Sequence, residues 1–120
     1  MPIISILITS YNAQKTIENA IKSAVNQKWS SKEIIVYDDC STDATVEILK
    51  KLGKLEPQVK ILYGKENMGV AYARNQLIDH VKGEFIAFFD DDDISQPARL
   101  GIQYAKIIEV EKKLNSDQII

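Results

Sequence analysis

A run of four aspartates, at residues 90–93, is the part of this sequence best suited to chemistry. It follows the apolar run at residues 85–89, so we expect a strand to hold the first aspartates close to a sheet. Adjacent carboxylates repel one another, and partial burial disfavours their charged forms further. A divalent cation relieves this repulsion, and oxygen ligands of this kind suit Mg²⁺ or Mn²⁺. In an extended segment Asp90 and Asp92 face the same side, which predicts a cation site; the alternative is a solvated acidic turn.

A second acidic pair, Asp38 and Asp39, directly follows another mostly apolar run, EIIVY. A carboxylate at a strand end can accept a hydrogen bond from a ribose hydroxyl or from a base N–H. The alternative is helix capping, because Ser41 and Asp43 come next and favour the start of a helix. Capping alone does not account for two acidic clusters at one edge of a sheet, so the pair strengthens the prediction of a ligand site.

Four short runs predict four strands, each followed by a segment with helical character. The runs cover residues 3–8, 33–37, 59–63 and 84–89. Helices are predicted over residues 15–26, from just after Ser41 to a stop at Gly53, over residues 70–81, and from about Pro97 onward. This alternation predicts a single α/β domain over residues 1–120, Rossmann-like, with a mostly parallel sheet and helices on both faces. Ligands of such sheets bind at the carboxyl ends of the strands, where both acidic clusters fall.

The composition and charge of the chain limit the kinds of function it can have. Its 120 residues carry a formal net charge of -2, which argues against a nucleic-acid partner, because such a partner requires a basic surface. With Cys40 as the one cysteine, no internal disulfide can form and a reducing compartment is indicated. No signal peptide is evident and the apolar runs are too short to cross a bilayer, so the predicted location is cytoplasmic. The first strand is followed by TSYN and not by a glycine-rich dinucleotide-binding loop.

Four blocks in order along the chain resemble the successive motifs of family 2 glycosyltransferases, which have the GT-A fold. The blocks are SILITSYN at residues 5–12, EIIVYDDCSTD at 33–43, NMGVAYARN at 67–75 and GEFIAFFDDDD at 83–93. Four ordered blocks over nearly the whole chain are far more specific than an isolated Asp-x-Asp. The third block contains an Ala-Arg-Asn element that the resemblance puts near the donor pocket through Arg74 and Asn75. Cys40 departs from the small residue, often glycine, that the family has at its position.

The resemblance implies that this domain is the nucleotide-sugar-binding half of such an enzyme. The residues assigned to the nucleotide sugar are Thr9, Tyr11, Asp38, Asp39, Arg74, Asn75, Asp90 and Asp91. Among them Thr9 and Tyr11 line the nucleotide base, and Asp39 contacts the base or the ribose. Asp38 is implied to support the same loop as Asp39. Asp90 and Asp92 form the Asp-x-Asp signature, in which Asp92 binds a Mn²⁺ or Mg²⁺ ion that bridges the diphosphate.

The implied reaction is transfer of a glycosyl group from a nucleoside-diphosphate sugar to a hydroxyl of a glycan or lipid-linked acceptor, with UDP the favoured nucleotide. The implied transfer inverts the anomeric carbon, and a base in a following acceptor-binding half takes the acceptor proton. No block of that kind follows Pro97, so we predict that the chain stops before the acceptor half and lacks this base. The implied pathway is polysaccharide or glycan assembly, with a peripheral location at the inner face of a membrane as a further option.

Two other predictions concern how the chain works outside catalysis. The alternative to an enzyme is a non-catalytic nucleotide- or cation-binding module that lacks the acceptor half. A domain of this kind exposes an apolar face that the acceptor half would cover, which predicts self-association into a homo-oligomer.

Overall fold

The runs rich in Ile, Val and Phe form the strands of the protein, since β-branched and aromatic side chains suit a buried pleated surface. The computed structural model describes residues 1–117. In chain order the elements are β1 (Ile4–Ser10), α1 (Ile17–Val25), β2 (Lys32–Asp38), α2 (Thr45–Leu55), β3 (Val59–Tyr63), α3 (Val70–Ile78), β4 (Phe85–Asp90) and α4 (Arg99–Asp117). The strands form one parallel sheet in the order β3-β2-β1-β4, which confirms the predicted α/β fold. Residues 118–120 of the predicted domain lie outside the described residues.

The helix boundaries differ from the predicted ones by a few residues. The second helix continues through Gly53, its predicted stop, to the end of α2. Gly53 instead allows close packing against β3, because a Cβ there would lie 3.2 Å from Ile61 Cδ1. α4 begins at Arg99 and not at Pro97, which lies in the turn before it. The prediction placed the helices correctly. Their ends depend on contacts with other elements, which the spacing of apolar residues in the sequence does not reveal.

β1 is buried on both faces, which divides the core into two parts. Ile6 and Ile8 belong to the larger cluster, which also contains Leu100 of α4 and apolar residues of α1 and α2. Leu7, between them, belongs to a smaller cluster that packs against Leu77 of α3. Successive side chains of a strand point to opposite faces, so a continuous apolar strand requires helices on both sides. These helices fix the sheet, and with it the positions from which the carboxyl-end loops depart.

α4, which has 19 residues, lies against the sheet through its first turns. The ring centroid of Tyr104 is 4.9 Å from that of Trp29 and 5.4 Å from that of Phe85. Farther along the helix, Ile107 and Val110 are exposed. Among the helices that the structure describes, α4 included, none combines the length and the apolarity needed to cross a bilayer.

Gly83, just before β4, approaches β1 so closely that a side chain has no room there. A Cβ at this position would lie 2.8 Å from Ile3 O and 2.9 Å from Ser5 N, both backbone atoms. We expect Gly83→Ala to lower the free energy of unfolding by about 1–3 kcal/mol, as overpacking does, in urea denaturation. Gly101→Ala in α4 is the matched control, because within the described part of the chain no other element comes within 4 Å of a Cβ there. Equal losses from the two substitutions would contradict this account.

Candidate functional site

The carboxyl ends of β1, β2 and β4 lie side by side, which brings both acidic clusters to one edge of the sheet. In the strand register Ser10 pairs with Asp38, and Thr9 pairs with Asp90. β1 therefore has an acidic strand end on each side. Because the strands are held by their ladders and by the two cores, this arrangement is imposed by the sheet and does not depend on loop conformation.

An open cleft of about 600 Å³ joins the two acidic clusters. All but two of the predicted site residues line it, namely Thr9, Tyr11, Asp39, Arg74, Asp90, Asp91 and Asp92. Asp38 and Asn75 are the two that the structure leaves outside this lining. A second cleft, of about 490 Å³ between α3 and β3, is lined by none of the predicted residues. The cleft at the strand ends is therefore the candidate site.

Asp39 is buried at the tip of β2, where its carboxylate holds the neighbouring loop. It is 5% exposed, and its two oxygens accept hydrogen bonds from the backbone N–H groups of Met68 and Gly69, each at 2.9 Å. Gly69 precedes α3 with φ of +92°, a conformation that favours glycine. The carboxylate thus joins the end of β2 to the start of α3, and each oxygen keeps a second lone pair for a ligand.

Asp38 shapes the turn after β2. It is 1% exposed, and it accepts hydrogen bonds from Ser41 N at 2.9 Å and from Ser41 Oγ at 2.6 Å. Cys40, inside this turn, has φ of +62°, where a glycine is readily accommodated. Asp38 differs from Asp39 in that it does not line the cleft, so its predicted contact with a nucleotide sugar stays a prediction.

The loops after β1 and β2 are braced against each other by polar side chains. Asn12 N donates to Ser41 Oγ at 2.9 Å, and Thr42 N donates to Asn12 Oδ1 at 2.8 Å. Asp43 accepts a hydrogen bond from Thr45 N at 2.9 Å, so it serves the start of α2 as the sequence predicts. Ser41, for which capping is also predicted, instead bonds to the turn and to the loop after β1. This brace keeps the two loops, and the cleft wall they form, in a fixed relation.

The acidic loop, residues 90–94, brings three carboxylates together. Oxygens of Asp90, Asp92 and Asp93 lie within 4.8 Å of one another, and all three side chains are exposed. Asp93 is missing from the predicted ligands, although the run of four aspartates was the signal for it. The loop turns so that Asp93 N donates to Asp90 O at 3.4 Å, which brings residues three apart together. Three carboxylates at this spacing fit the oxygen coordination that Mn²⁺ and Mg²⁺ prefer.

Asp91 differs from its neighbours because it is partly buried and bonded to β1's end. Its Oδ2 accepts a hydrogen bond from Tyr11 N at 3.2 Å. Burial raises the pKa of the Asp91 carboxyl; the hydrogen bond from Tyr11 opposes this rise, and the charges of Asp92 and Asp90 add to it. Asp91 therefore anchors the acidic loop, whereas the three exposed carboxylates keep their oxygens available.

Arg74 extends from α3 to β4, where its guanidinium carbon lies 4.9 Å from the centroid of the Phe88 ring. It adds a positive charge to a lining that contains four aspartates. Asn75, the next residue, belongs to α3 but does not line the cleft. Sequence reasoning missed other lining residues of this region, namely Asn67, Gly69, Val70 and Ala73. All of them belong to the block NMGVAYARN, which was the available signal.

Comparisons with known proteins agree on one family and one fold. Residues 5–120 match the family model described as Glycosyl transferase family 2. The putative teichuronic acid biosynthesis glycosyltransferase TuaG of Bacillus subtilis is 39% identical over 92 residues, which cover 77% of this chain and 36% of the relative.

Two solved structures extend this likeness to the fold. S. aureus TarS 1-349 in complex with UDP-GlcNAc has a TM-score of 0.78 at 31% identity, over 88% of this chain and 31% of that one. The mannosyltransferase PcManGT from Pyrobaculum calidifontis, in complex with GDP-Man and Mn²⁺, has a TM-score of 0.74 at 26% identity, over 82% and 29% of the two chains. The chain thus spans about a third of the length of these three proteins.

The bonds that Asp39 makes to the loop before α3 can be tested directly. Asp39→Ala leaves the N–H groups of Met68 and Gly69 without their acceptor, so both amides should exchange at least tenfold faster in hydrogen-exchange NMR. The free energy of unfolding should fall by about 1.5–3 kcal/mol, the usual contribution of hydrogen bonds to a charged group. Glu66→Ala, an exposed change in the same loop, is the control and should leave both amides protected. Unchanged exchange in Asp39→Ala would exclude the anchoring role.

Proposed function

This chain belongs to glycosyltransferase family 2, and we propose that its cleft binds a nucleoside-diphosphate sugar as the donor for glycosyl transfer to a hydroxyl acceptor. One observation carries the proposal: a single cleft is lined both by Asp39 at the tip of β2 and by Asp90, Asp91 and Asp92 after β4. A nucleotide sugar has a hydrogen-bonding nucleoside at one end and a diphosphate at the other. The two acidic clusters suit these two ends separately.

The nucleoside end of the donor is proposed to lie against the tips of β1 and β2. Tyr11 is 44% exposed in the lining and offers a ring face on which a base can stack. Asp39, held rigid by its two backbone partners, can accept a hydrogen bond from a base N–H or a ribose hydroxyl. Thr9 adds a hydroxyl on the same wall. The UDP-GlcNAc complex of the similar TarS supports UDP as the nucleotide.

The diphosphate end is proposed to lie over the acidic loop. Asp92, together with Asp90 and Asp93, would hold Mn²⁺ or Mg²⁺, and the Mn²⁺ complex of the similar PcManGT supports a divalent ion in such a site. When bound, the cation supplies Lewis-acid stabilisation of charge on the leaving nucleoside diphosphate. Arg74 adds a fixed positive charge to the same lining and can donate to phosphate oxygens.

The acceptor side of the reaction is proposed to depend on sequence that these 120 residues do not include. The chain spans about a third of the length of its relatives, and we infer that the acceptor-binding half and its general base belong to the remaining part. We also propose that the transfer inverts the anomeric carbon. The similar TuaG is named for teichuronic acid biosynthesis, which supports polysaccharide assembly as the pathway. The cytoplasmic, membrane-peripheral location and the homo-oligomer stay predictions.

Coupling between metal and nucleotide is the first test of this function. UDP should bind about tenfold more tightly with Mn²⁺ than without it, measured by titration calorimetry, because a cation held by Asp92 would offset the charge of the diphosphate. Asp92→Ala should abolish the gain, a loss of about 1.4 kcal/mol. Asp79→Ala, which removes an exposed aspartate at the end of α3, is the charge-matched control. Mn²⁺ binding without any response to UDP would support a simple cation-binding domain instead.

A second test concerns catalysis by these 120 residues alone. We expect the purified chain to bind UDP in the presence of Mn²⁺ but to show little or no sugar transfer to added acceptors, since the site holds donor-binding groups without an assigned base. A radiolabelled-sugar transfer assay measures this. Robust transfer by the chain would contradict the proposed division between donor and acceptor halves.

A further inference from the structure

Arg99, the first residue of α4, contacts both ends of the acidic loop. Its Nη2 donates to Phe88 O at 2.9 Å, just before the loop, and its Nη1 donates to Ser95 Oγ at 2.9 Å, just after it. The guanidinium carbon also lies 3.9 Å from the centroid of the Phe89 ring. The planar, forked guanidinium can make these contacts at once, which an ammonium group cannot.

The far end of the loop is held by buried polar groups of α1 and the residues after it. Ser95 N donates to Ser23 Oγ at 3.1 Å. Gln27, 4% exposed, donates to Gln96 O at 2.7 Å and accepts from Leu100 N at 3.1 Å. The segment after the loop is therefore part of the folded core. Arg99 is the side chain that links this anchored segment back to β4.

The near end of the loop has a neighbour on one side only. β4 is paired with β1 at one edge of the sheet, and within residues 1–117 no strand pairs with its other edge. Within the loop, the turn between Asp90 and Asp93 is held by a long backbone hydrogen bond of 3.4 Å. Yet the exposed carboxylates have oxygens within 4.8 Å of one another, an arrangement that their mutual repulsion opposes. Fixed loop ends therefore act together with the bond from Tyr11 N to Asp91 to keep these oxygens together.

We propose that Arg99 is a positioning residue for the cation site: by joining Phe88 to Ser95 it sets the spacing of the carboxylates of the acidic loop. This inference rests on the proposed function, in which those carboxylates hold Mn²⁺ or Mg²⁺. Charge and geometry predict opposite effects for this residue. By charge alone, removing a cation beside an acidic site strengthens cation binding. By positioning, its removal weakens cation binding. Partners bonded directly to metal ligands change metal affinity about 10–100-fold, and Arg99 acts one step farther out, through the residues that flank the loop.

The test compares Arg99→Met and Arg99→Lys with the unchanged chain, using Mn²⁺ and UDP as probes. Titration calorimetry measures Mn²⁺ affinity and UDP affinity with and without Mn²⁺. We expect Arg99→Met to weaken Mn²⁺ binding and Mn²⁺-dependent UDP binding about tenfold. UDP binding without metal should stay the same, which a general loss of structure would not allow. The Mn²⁺ affinity of Arg99→Lys should lie between that of the unchanged chain and that of Arg99→Met. Lysine keeps the positive charge but lacks the planar guanidinium with its paired donors.

Two further variants complete the design. Ser95→Ala removes one hydrogen-bond partner of Arg99 and should weaken Mn²⁺ binding a few-fold. If the Arg99 variants fail to fold, this variant tests the positioning role in their place. Lys106→Met removes an exposed positive charge farther along α4 and should change neither affinity. Unchanged or tighter Mn²⁺ binding in the folded Arg99 or Ser95 variants overturns the inference. Absence of Mn²⁺-linked UDP binding in the unchanged chain would instead overturn the proposed function itself.

Discussion

Strands that run parallel in one sheet end at the same edge, and in this protein that constraint gathers carboxylates that repel one another. The register sets Asp38 beside Ser10 and Asp90 beside Thr9. Two unit charges 4 Å apart repel by about 1 kcal/mol in water and about 4 kcal/mol near a protein surface. Burial of each aliphatic side chain of β1 contributes about 1.5–3 kcal/mol, and β1 is buried on both faces. Packing of the sheet therefore outweighs the repulsion at its edge.

The aspartates at this edge divide into two groups according to how they are solvated. A buried carboxylate must receive hydrogen bonds, and the buried or half-buried ones do: Asp38 from Ser41, Asp39 from Met68 and Gly69, and Asp91 from Tyr11. The exposed ones keep contact with water, and a ligand can replace that water. The first group builds the walls of the cleft, and the second supplies its chemistry. This division explains how a small chain holds so much negative charge in a defined geometry.

The sequence predicts the parts of this site that follow from periodicity and topology. Apolar runs and the segments between them indicate a parallel sheet, and a parallel sheet determines which loops meet. That reasoning brought Asp39 and Asp92 to one cleft. The resemblance gave Asp38 a supporting role in the loop after β2, but its pairing with Ser41 could not be predicted, because the direction of a side chain at a strand end depends on the turn that follows. Nor did that reasoning identify Arg99. Its hydrogen-bond partners are the backbone carbonyl of Phe88 and the hydroxyl of Ser95, and such contacts leave no pattern in a single sequence.

The double hydrogen bond of Asp39 has a consequence for how such domains change over time. A descendant that stopped using nucleotides would still need this carboxylate to fasten the start of α3, so selection for folding alone would retain it. Asp92 is exposed, and within the part of the chain that the structure describes it makes no comparable hydrogen bonds, so it would drift once binding ceased. Degenerate members of such a lineage are thus recognised by the loss of the second aspartate, whereas persistence of the first says little about whether they remain active.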